Sequence, residues 1–188
     1  GRAVKAEITV ETLDGIKTLQ ITPENDKAAK IRVDMGVPVL ESLQPEKITV
    51  TGSEWEFSAV DVGSPHAVYL VPNCEEVPLE KIGVLFEHAA RFPNRVNSEF
   101  VQILDRTHLR MRVWERGSGE TWACGTGTCA TGAVASVVAS HARGLTDASV
   151  EVQMDGGALR IEIDDTTGHA FMTGPAVEVF QGETTLVD

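Results

Sequence analysis

With 188 residues and 42% apolar content, the chain can bury a core as one domain or two small ones. A net charge of −12, a pI of about 4.8 and the lack of any basic cluster argue against nucleic acid or an anionic membrane as a partner. Cys74, Cys124 and Cys129 are odd in number and irregular in spacing, so they do not read as a disulfide framework; with no secretory apolar segment near the start, a reducing, cytoplasmic setting is expected.

The chain opens Gly1-Arg2-Ala3-Val4 without an initiator Met, which reads as a processed or trimmed start. Strands dominate the rest of the chain. Ile8–Leu13 and Ile16–Ile21 face each other across Asp14-Gly15, a two-residue hairpin signal. Ile31, Val33 and Met35 alternate with polar residues as in a half-buried strand. Residues 38–45 read as a loop, and Ile48–Val50, Trp55–Val60 and Ala67–Val71 as strands. Leu79, Ile82, Phe86 and Ala89 or Ala90 recur at helical spacing on one face, predicting an amphipathic surface helix. Glu99–Leu104 and Leu109–Glu115 form a strand pair through residues 105–108, and the second strand delivers Glu115-Arg116 at its end. A second helix, from about Gly125 to Ala142, is apolar nearly all round. Its apolar run around Gly132–Ala139 is too short and too rich in small residues to span a bilayer, so other elements must surround the helix. Strands at Val150–Met154, Ala158–Ile163, Ala170–Thr173, Ala176–Phe180 and Thr184–Val187 complete the chain. The fold class expected is α+β: a mixed, mostly antiparallel curved sheet, barrel-like, wrapped around a central apolar helix.

One stretch carries the chemistry. Residues 115–128 read ERGSGETWACGTGT, setting Cys124 where a glycine-rich turn opens into the apolar helix. Unpaired N–H groups at a helix start favour a nearby anion. A thiol there titrates low, to roughly 3.5–7.5 in activated sites, and the same N–H groups can hold a carboxylate. Cys129, five residues on, points about 140° away at 100° per residue and reads as core. Cys74 sits in a Pro/Asn/Glu loop and reads as incidental. No lysine follows Gly127 as a phosphate-binding loop requires, Ala130 stands where a cysteine phosphatase needs arginine, and no paired spacing supports a zinc site. Glu115 and Arg116 offer a carboxylate for an ammonium and a guanidinium for a carboxylate, although such a pair is more often a plain surface ion pair. His66 follows a Gly-Ser-Pro turn that aims its side chain; it is a site candidate, with a structural role as the alternative. Asn97, in the polar turn Phe92-Pro93-Asn94-Arg95-Val96-Asn97, is able to bind a carboxylate or an amine. His88, His108, His141 and His169 are expected to be structural.

These motifs resemble the diaminopimelate epimerase family. The resemblance rests on Glu115-Arg116-Gly117-x-Gly119-Glu120-Thr121-x-Ala123-Cys124-Gly125-Thr126-Gly127, supported by Gly63-x-Pro65-His66, Phe92-Pro93-x-Arg95-x-Asn97 and Thr173-Gly174-Pro175-Ala176. It implies a domain built as a mixed sheet around a central helix, facing a similar domain across a cleft. It implies a cofactor-independent isomerase, with no metal, that interconverts LL- and meso-diaminopimelate for lysine and peptidoglycan precursors. Two cysteines would act as base and acid on opposite faces of the α-carbon. Cys124 would be one of them, with Gly125 and Thr126 offering N–H groups to the reacting carboxylate. Glu115 and Arg116 would bind the distal amino and carboxylate groups, with Asn97 assisting, and His66 would stand beside the reacting centre. The catalytic candidates are therefore Cys124, His66 and Glu115; the substrate-binding candidates are Ser64, Asn97, Glu115, Arg116, Gly125 and Thr126.

Two departures from the family pattern stand out. Ser64 occupies a position where the family carries Asn, and the half that would bring the second Cys-Gly-Asn-Gly thiol is missing. The expected organisation is residues 1–33 as strands belonging with a missing N-terminal domain, 34–173 as the C-terminal epimerase domain, and 174–188 as strands returning toward the missing domain. The partners expected are that domain, a small amino-acid substrate and a second copy in a homodimer; alone, the chain is expected to be inactive. The alternatives are a related racemase for another amino acid, acyl transfer by a Cys124–His66 pair, and a non-catalytic amino-acid-binding module.

Overall fold

The structure is a computed structural model that describes residues 6–12, 15–25, 27–122, 128–177, 180 and 182. Among these, the strands are β1 (Glu7–Thr12), β2 (Gly15–Glu24), β3 (Lys27–Asp34), β4 (Val39–Leu40), β5 (Glu46–Val50), β6 (Ser53–Asp61), β7 (Pro65–Leu70), β8 (Asn97–Asp105), β9 (His108–Glu115), β10 (Gly119–Thr121), β11 (Ser149–Met154), β12 (Gly157–Ile163) and β13 (Ala170–Pro175). The helices are α1 (Leu79–Glu87) and α2 (Thr128–Ala142), with a short 3₁₀ turn at Cys74–Glu76. The strands form one 13-stranded sheet in the order β1-β2-β3-β13-β12-β11-β9-β8-β7-β6-β4, with β10 added on β9 and β5 on β6.

Most pairs are antiparallel, but β7 with β8 and β9 with β11 run parallel. A parallel pair needs a crossover, and each helix supplies one. α1 lies on the path from β7 to β8, and α2 on the path from β9 to β11. The two helices take opposite faces, and strand alternation sorts the residues between them. Val68, Val101, Leu109, Met111 and Val113 turn toward α2, where Val60, Val152 and Ile161 close the core. Tyr69, Phe57 and Phe100 turn the other way, against Leu79 and Phe86 of α1. There Trp55 and Phe86 meet edge to face at 5.1 Å, and Tyr69 stacks on Phe100 at the same separation.

α2 packs against β6, β7, β8, β9, β12 and β13. Its small residues permit this: Ala130, Ala133, Ala135 and Ala139 are buried and leave room for strands to approach. Ser136 and Ser140 are buried too, and each hydroxyl donates 2.7 Å back to the carbonyl four residues earlier.

Several expectations need correction. The amphipathic helix stops at Glu87, so Ala89 and Ala90 lie beyond it; the Ala89 N–H instead meets the Phe86 carbonyl. Residues 38–45 are not wholly loop, because Val39–Leu40 pairs with β6. Cys74 is not an incidental loop residue: it is fully buried in the 3₁₀ turn, within the aromatic core. The strand expected at Ala176–Phe180 is absent at its described residues, since β13 ends at Pro175; among the described residues one bond, from the Ala176 N–H to the Ala29 carbonyl, continues past it. Thr184–Val187 lies outside the described residues.

Candidate active site

The topology brings three strand ends together. β7 and β8 are parallel, so they begin side by side, with His66 opposite Asn97. β9 is antiparallel to β8, so its end arrives at the same place, carrying Glu115 and Arg116. Asn97 ties them: its Oδ1 accepts from the Arg116 N–H at 2.9 Å and its Nδ2 donates to the Pro65 carbonyl at 3.3 Å. Sequence reasoning set Asn97 in a turn; it is the buried first residue of β8, and much of its amide is spent on the scaffold.

The turn before β7 is built to aim Ser64 and His66. The Asp61 carboxylate accepts from the Gly63 N–H at 2.8 Å, and the Val62 N–H donates forward to the Ser64 carbonyl at 3.1 Å. Gly63 stands at φ +79°, a left-handed conformation that glycine adopts without penalty. His66 is buried, and both ring nitrogens are engaged: Nε2 lies 3.0 Å from Ser64 Oγ and Nδ1 lies 2.6 Å from Glu99 Oε1.

Sequence reasoning missed Glu99. The signal was available, because a carboxylate at the centre of Ser98-Glu99-Phe100-Val101 falls on the alternation that faces the core. The His66 and Glu99 side chains are both 0% exposed, and Glu99 Oε2 has no hydrogen-bond partner among the described residues. α2 rests directly on this carboxylate: a Cβ added at Gly132 would fall 2.8 Å from Oε1. Across the sheet, burial and the nearby Glu99 charge push the Tyr69 hydroxyl well above the usual tyrosine range.

A second carboxylate, Glu87, was also missed. It lies at the end of α1 and holds the turn that bears Glu115 and Arg116. It accepts from Trp114 Nε1 at 2.8 Å, the Gly117 N–H at 3.0 Å and Arg95 Nη1 at 3.3 Å. Burial pushes its titration up, but the Trp114 and Gly117 bonds and the charges of His88 and Arg95 outweigh that and hold it below the usual glutamate value. Arg95 adopts φ +63°, so the turn feeding Asn97 is strained at a non-glycine residue.

Ser64, His66, Asn97, Glu115 and Arg116 are thus assembled at one end of the sheet. Cys124, Gly125 and Thr126 lie outside the described residues. Cys129 is buried in α2, with Sγ 3.4 Å from Thr121 Oγ1. A hollow of about 450 Å³ lined by Glu75, Arg112, Glu120, Trp122 and Asp155 opens elsewhere. Arg112 shares its face with Trp114, away from α2, and is already bonded to Glu120 and to the Cys74 and Val77 carbonyls. The other histidines have structural partners: His169 meets Asp34 at 2.9 Å, His141 meets Asp165 at 3.0 Å, His108 meets Asp105 at 3.0 Å and His88 meets the Val84 carbonyl at 2.9 Å. Among the described residues, no group of three or more His, Cys, Asp or Glu is arranged to hold a metal ion, and no helix is long and apolar enough to cross a membrane.

A mixed sheet with one helix on each face matches the fold of solved structures. A hydroxyproline epimerase from Agrobacterium vitis, with bound trans-4-hydroxy-L-proline, superposes with TM-score 0.71 at 16% identity, over 93% of this chain and 58% of that one. A probable proline racemase from Agrobacterium radiobacter K84 gives TM-score 0.72 at 17% identity, over 100% and 63%. At such identities the likeness is one of fold. Sequence is more specific. The diaminopimelate epimerase of Acetivibrio thermocellus is 46% identical over 197 aligned positions, covering 99% of this chain and 69% of that protein. That of Methanococcus maripaludis C6 is 46% identical, covering 95% and 67%. The family described as diaminopimelate epimerase matches residues 58–179, and the chain belongs to this family of isomerases.

Proposed function

We propose that the chain is the C-terminal part of a cofactor-independent epimerase that interconverts LL- and meso-diaminopimelate. The observation that carries this reading is the convergence of Ser64-His66, Asn97 and Glu115-Arg116 at adjoining strand ends, in a chain of this family. Cys124 exchanges a proton at the α-carbon, and a second thiol on the missing domain serves the opposite face. Gly125 and Thr126 hold the α-carboxylate, whose charge grows as the carbanion forms. Glu115 takes the distal ammonium and Arg116 the distal carboxylate, a bidentate match. Asn97 assists by fixing the Arg116 backbone.

The barrel-like wrap of the sheet around α2 and the division into 1–33, 34–173 and 174–188 belong to the same proposal. None of the described side chains from residue 6 to 34 is fully buried. Ile16 is 72% exposed, Val177 77% and Phe180 83%, apolar side chains suited to cover by the rest of a longer protein. Alone, the chain lacks the second thiol and does not turn over; unpaired edges favour association with a second copy. Ser64, His66 and Glu99 stand in the order of a hydrolytic triad, but the family is one of isomerases.

The test is α-proton exchange in heavy water, followed by NMR, with the chain joined to an N-terminal half that supplies the second thiol. Exchange and inversion of diaminopimelate are expected, lost in Cys124→Ala and absent from the chain alone. Preference for another amino acid, turnover by the chain alone, or full activity in Cys124→Ala overturns the reading.

A further inference from the structure

We propose that Glu99 is a positioning residue that fixes His66 in its Nδ1–H tautomer, so that Ser64 faces the site as a hydrogen-bond acceptor. The inference deepens the epimerase reading, and its bearing on turnover rests on that reading; the tautomer does not.

On the face of β7 and β8 that meets α2, His66 and Val68 stand beside Asn97 and Glu99, in the register His66↔Asn97 and Val68↔Glu99. The neighbouring residues further along this face are apolar, Val101 on β8 and Met111 and Val113 on β9. A buried carboxylate among them costs stability, more so because Oε2 has no partner among the described residues. A valine or leucine would fit the core better. What the carboxylate adds is one directed contact, 2.6 Å from Oε1 to Nδ1 of a histidine whose side chain is also 0% exposed. The carboxyl has little room to turn away, since the α2 backbone at Gly132 closes over Oε1, Cγ and Cδ.

The consequence runs outward. An imidazole that donates from Nδ1 to a carboxylate leaves a lone pair on Nε2. Nε2 lies 3.0 Å from Ser64 Oγ, so the serine hydroxyl must donate to it. The single hydroxyl hydrogen is then committed, and the oxygen of half-buried Ser64 has only lone pairs left. Such an oxygen suits an ammonium or another N–H donor and is poorly suited to a carboxylate. Glu99, two hydrogen bonds removed from Ser64 Oγ, therefore sets the polarity that Ser64 presents.

The experiment has two arms. The 188-residue chain is prepared with ¹⁵N-labelled histidine, and long-range ¹H–¹⁵N spectra identify which His66 nitrogen carries the proton. The Nδ1–H form is expected in the wild type and in Glu99→Gln, whose amide oxygen still accepts. In Glu99→Leu the Nε2–H form becomes the major one, with Ser64 now accepting. A wild-type His66 already protonated at Nε2, or a tautomer unchanged in Glu99→Leu, overturns the proposal whatever the protein's activity. In the joined two-half protein, Glu99→Leu is expected to lower kcat about 10-fold to 100-fold with KM little changed, the scale seen when the partner that orients a metal-ligating histidine is lost. Glu99→Gln recovers most of that loss. Unchanged kcat in Glu99→Leu sinks the link to catalysis. A joined wild-type protein that leaves diaminopimelate untouched sinks the epimerase reading instead, while the tautomer result stands.

Discussion

Gly83→Ala exposes how α1 supports the site. In an exposed helix interior, alanine is favoured over glycine by about 1 kcal/mol. Here the added Cβ would fall 2.3 Å from Cδ2 and Cε3 of Trp114 and 2.7 Å from Cγ. Carbon atoms in contact sit about 3.5–4.0 Å apart, so more than about 1 Å must open. The indole has little room to retreat: Nε1 is tied to Glu87 at 2.8 Å, and its far edge lies close to Gly119. If α1 lifts instead, the burial of Leu79 and Phe86 is lost. Overpacking costs about 1–3 kcal/mol, and losing a hydrogen bond to a charged acceptor costs about 1.5–3 kcal/mol. Set against the propensity gain, the net loss is about 1.5–5 kcal/mol. Urea unfolding of the chain followed by far-ultraviolet circular dichroism measures it, and the midpoint is expected to fall by roughly 1 M at the slopes usual for such chains. In a Trp114→Ala background the same change becomes neutral or stabilising, because its obstacle is gone. A higher midpoint for Gly83→Ala in the wild-type background would refute the close packing of α1 on Trp114.

The same geometry sets two further outcomes. Glu87 titrates below the usual glutamate value of 4.5 in the folded chain, so it contributes stability that is present above 4.5 and lost as pH falls through the lower folded value. Urea midpoints taken at successive pH values are therefore expected to fall more steeply below 4.5 for the wild type than for Glu87→Gln; parallel curves would show that the carboxylate does not anchor the 115–119 turn. Iodoacetamide at neutral pH is expected to spare Cys74 and Cys129, which are 0% and 1% exposed, and burial also pushes the Cys74 thiol up. Peptide mapping should find the label at Cys124. An inert Cys124 would remove the activated thiol from the epimerase reading.

Local pattern was enough for most of this molecule. Alternation on Leu109-Arg110-Met111-Arg112-Val113 located β9, glycine after Asp14 marked the first hairpin, and the long apolar run placed α2, because each signal is written into residues close in sequence. His66, Asn97, Glu115 and Arg116 became candidates in the same way, from turn chemistry and residue type, and Ser64 from the family resemblance. The tertiary structure decided what no short window holds. The parallel pairing of β7 with β8 and the antiparallel return of β9 bring two strand starts and a strand end to one place, and the parallel pairing depends on a crossover of tens of residues. Burial of Cys74 depends on the aromatic core closing over a segment that reads as loop. Glu99 and Glu87 gained their roles only there: a carboxylate's effect is set by which donors and charges surround it, and the His66 contact to Glu99 and the Trp114 and Gly117 contacts to Glu87 span 33, 27 and 30 positions along the chain.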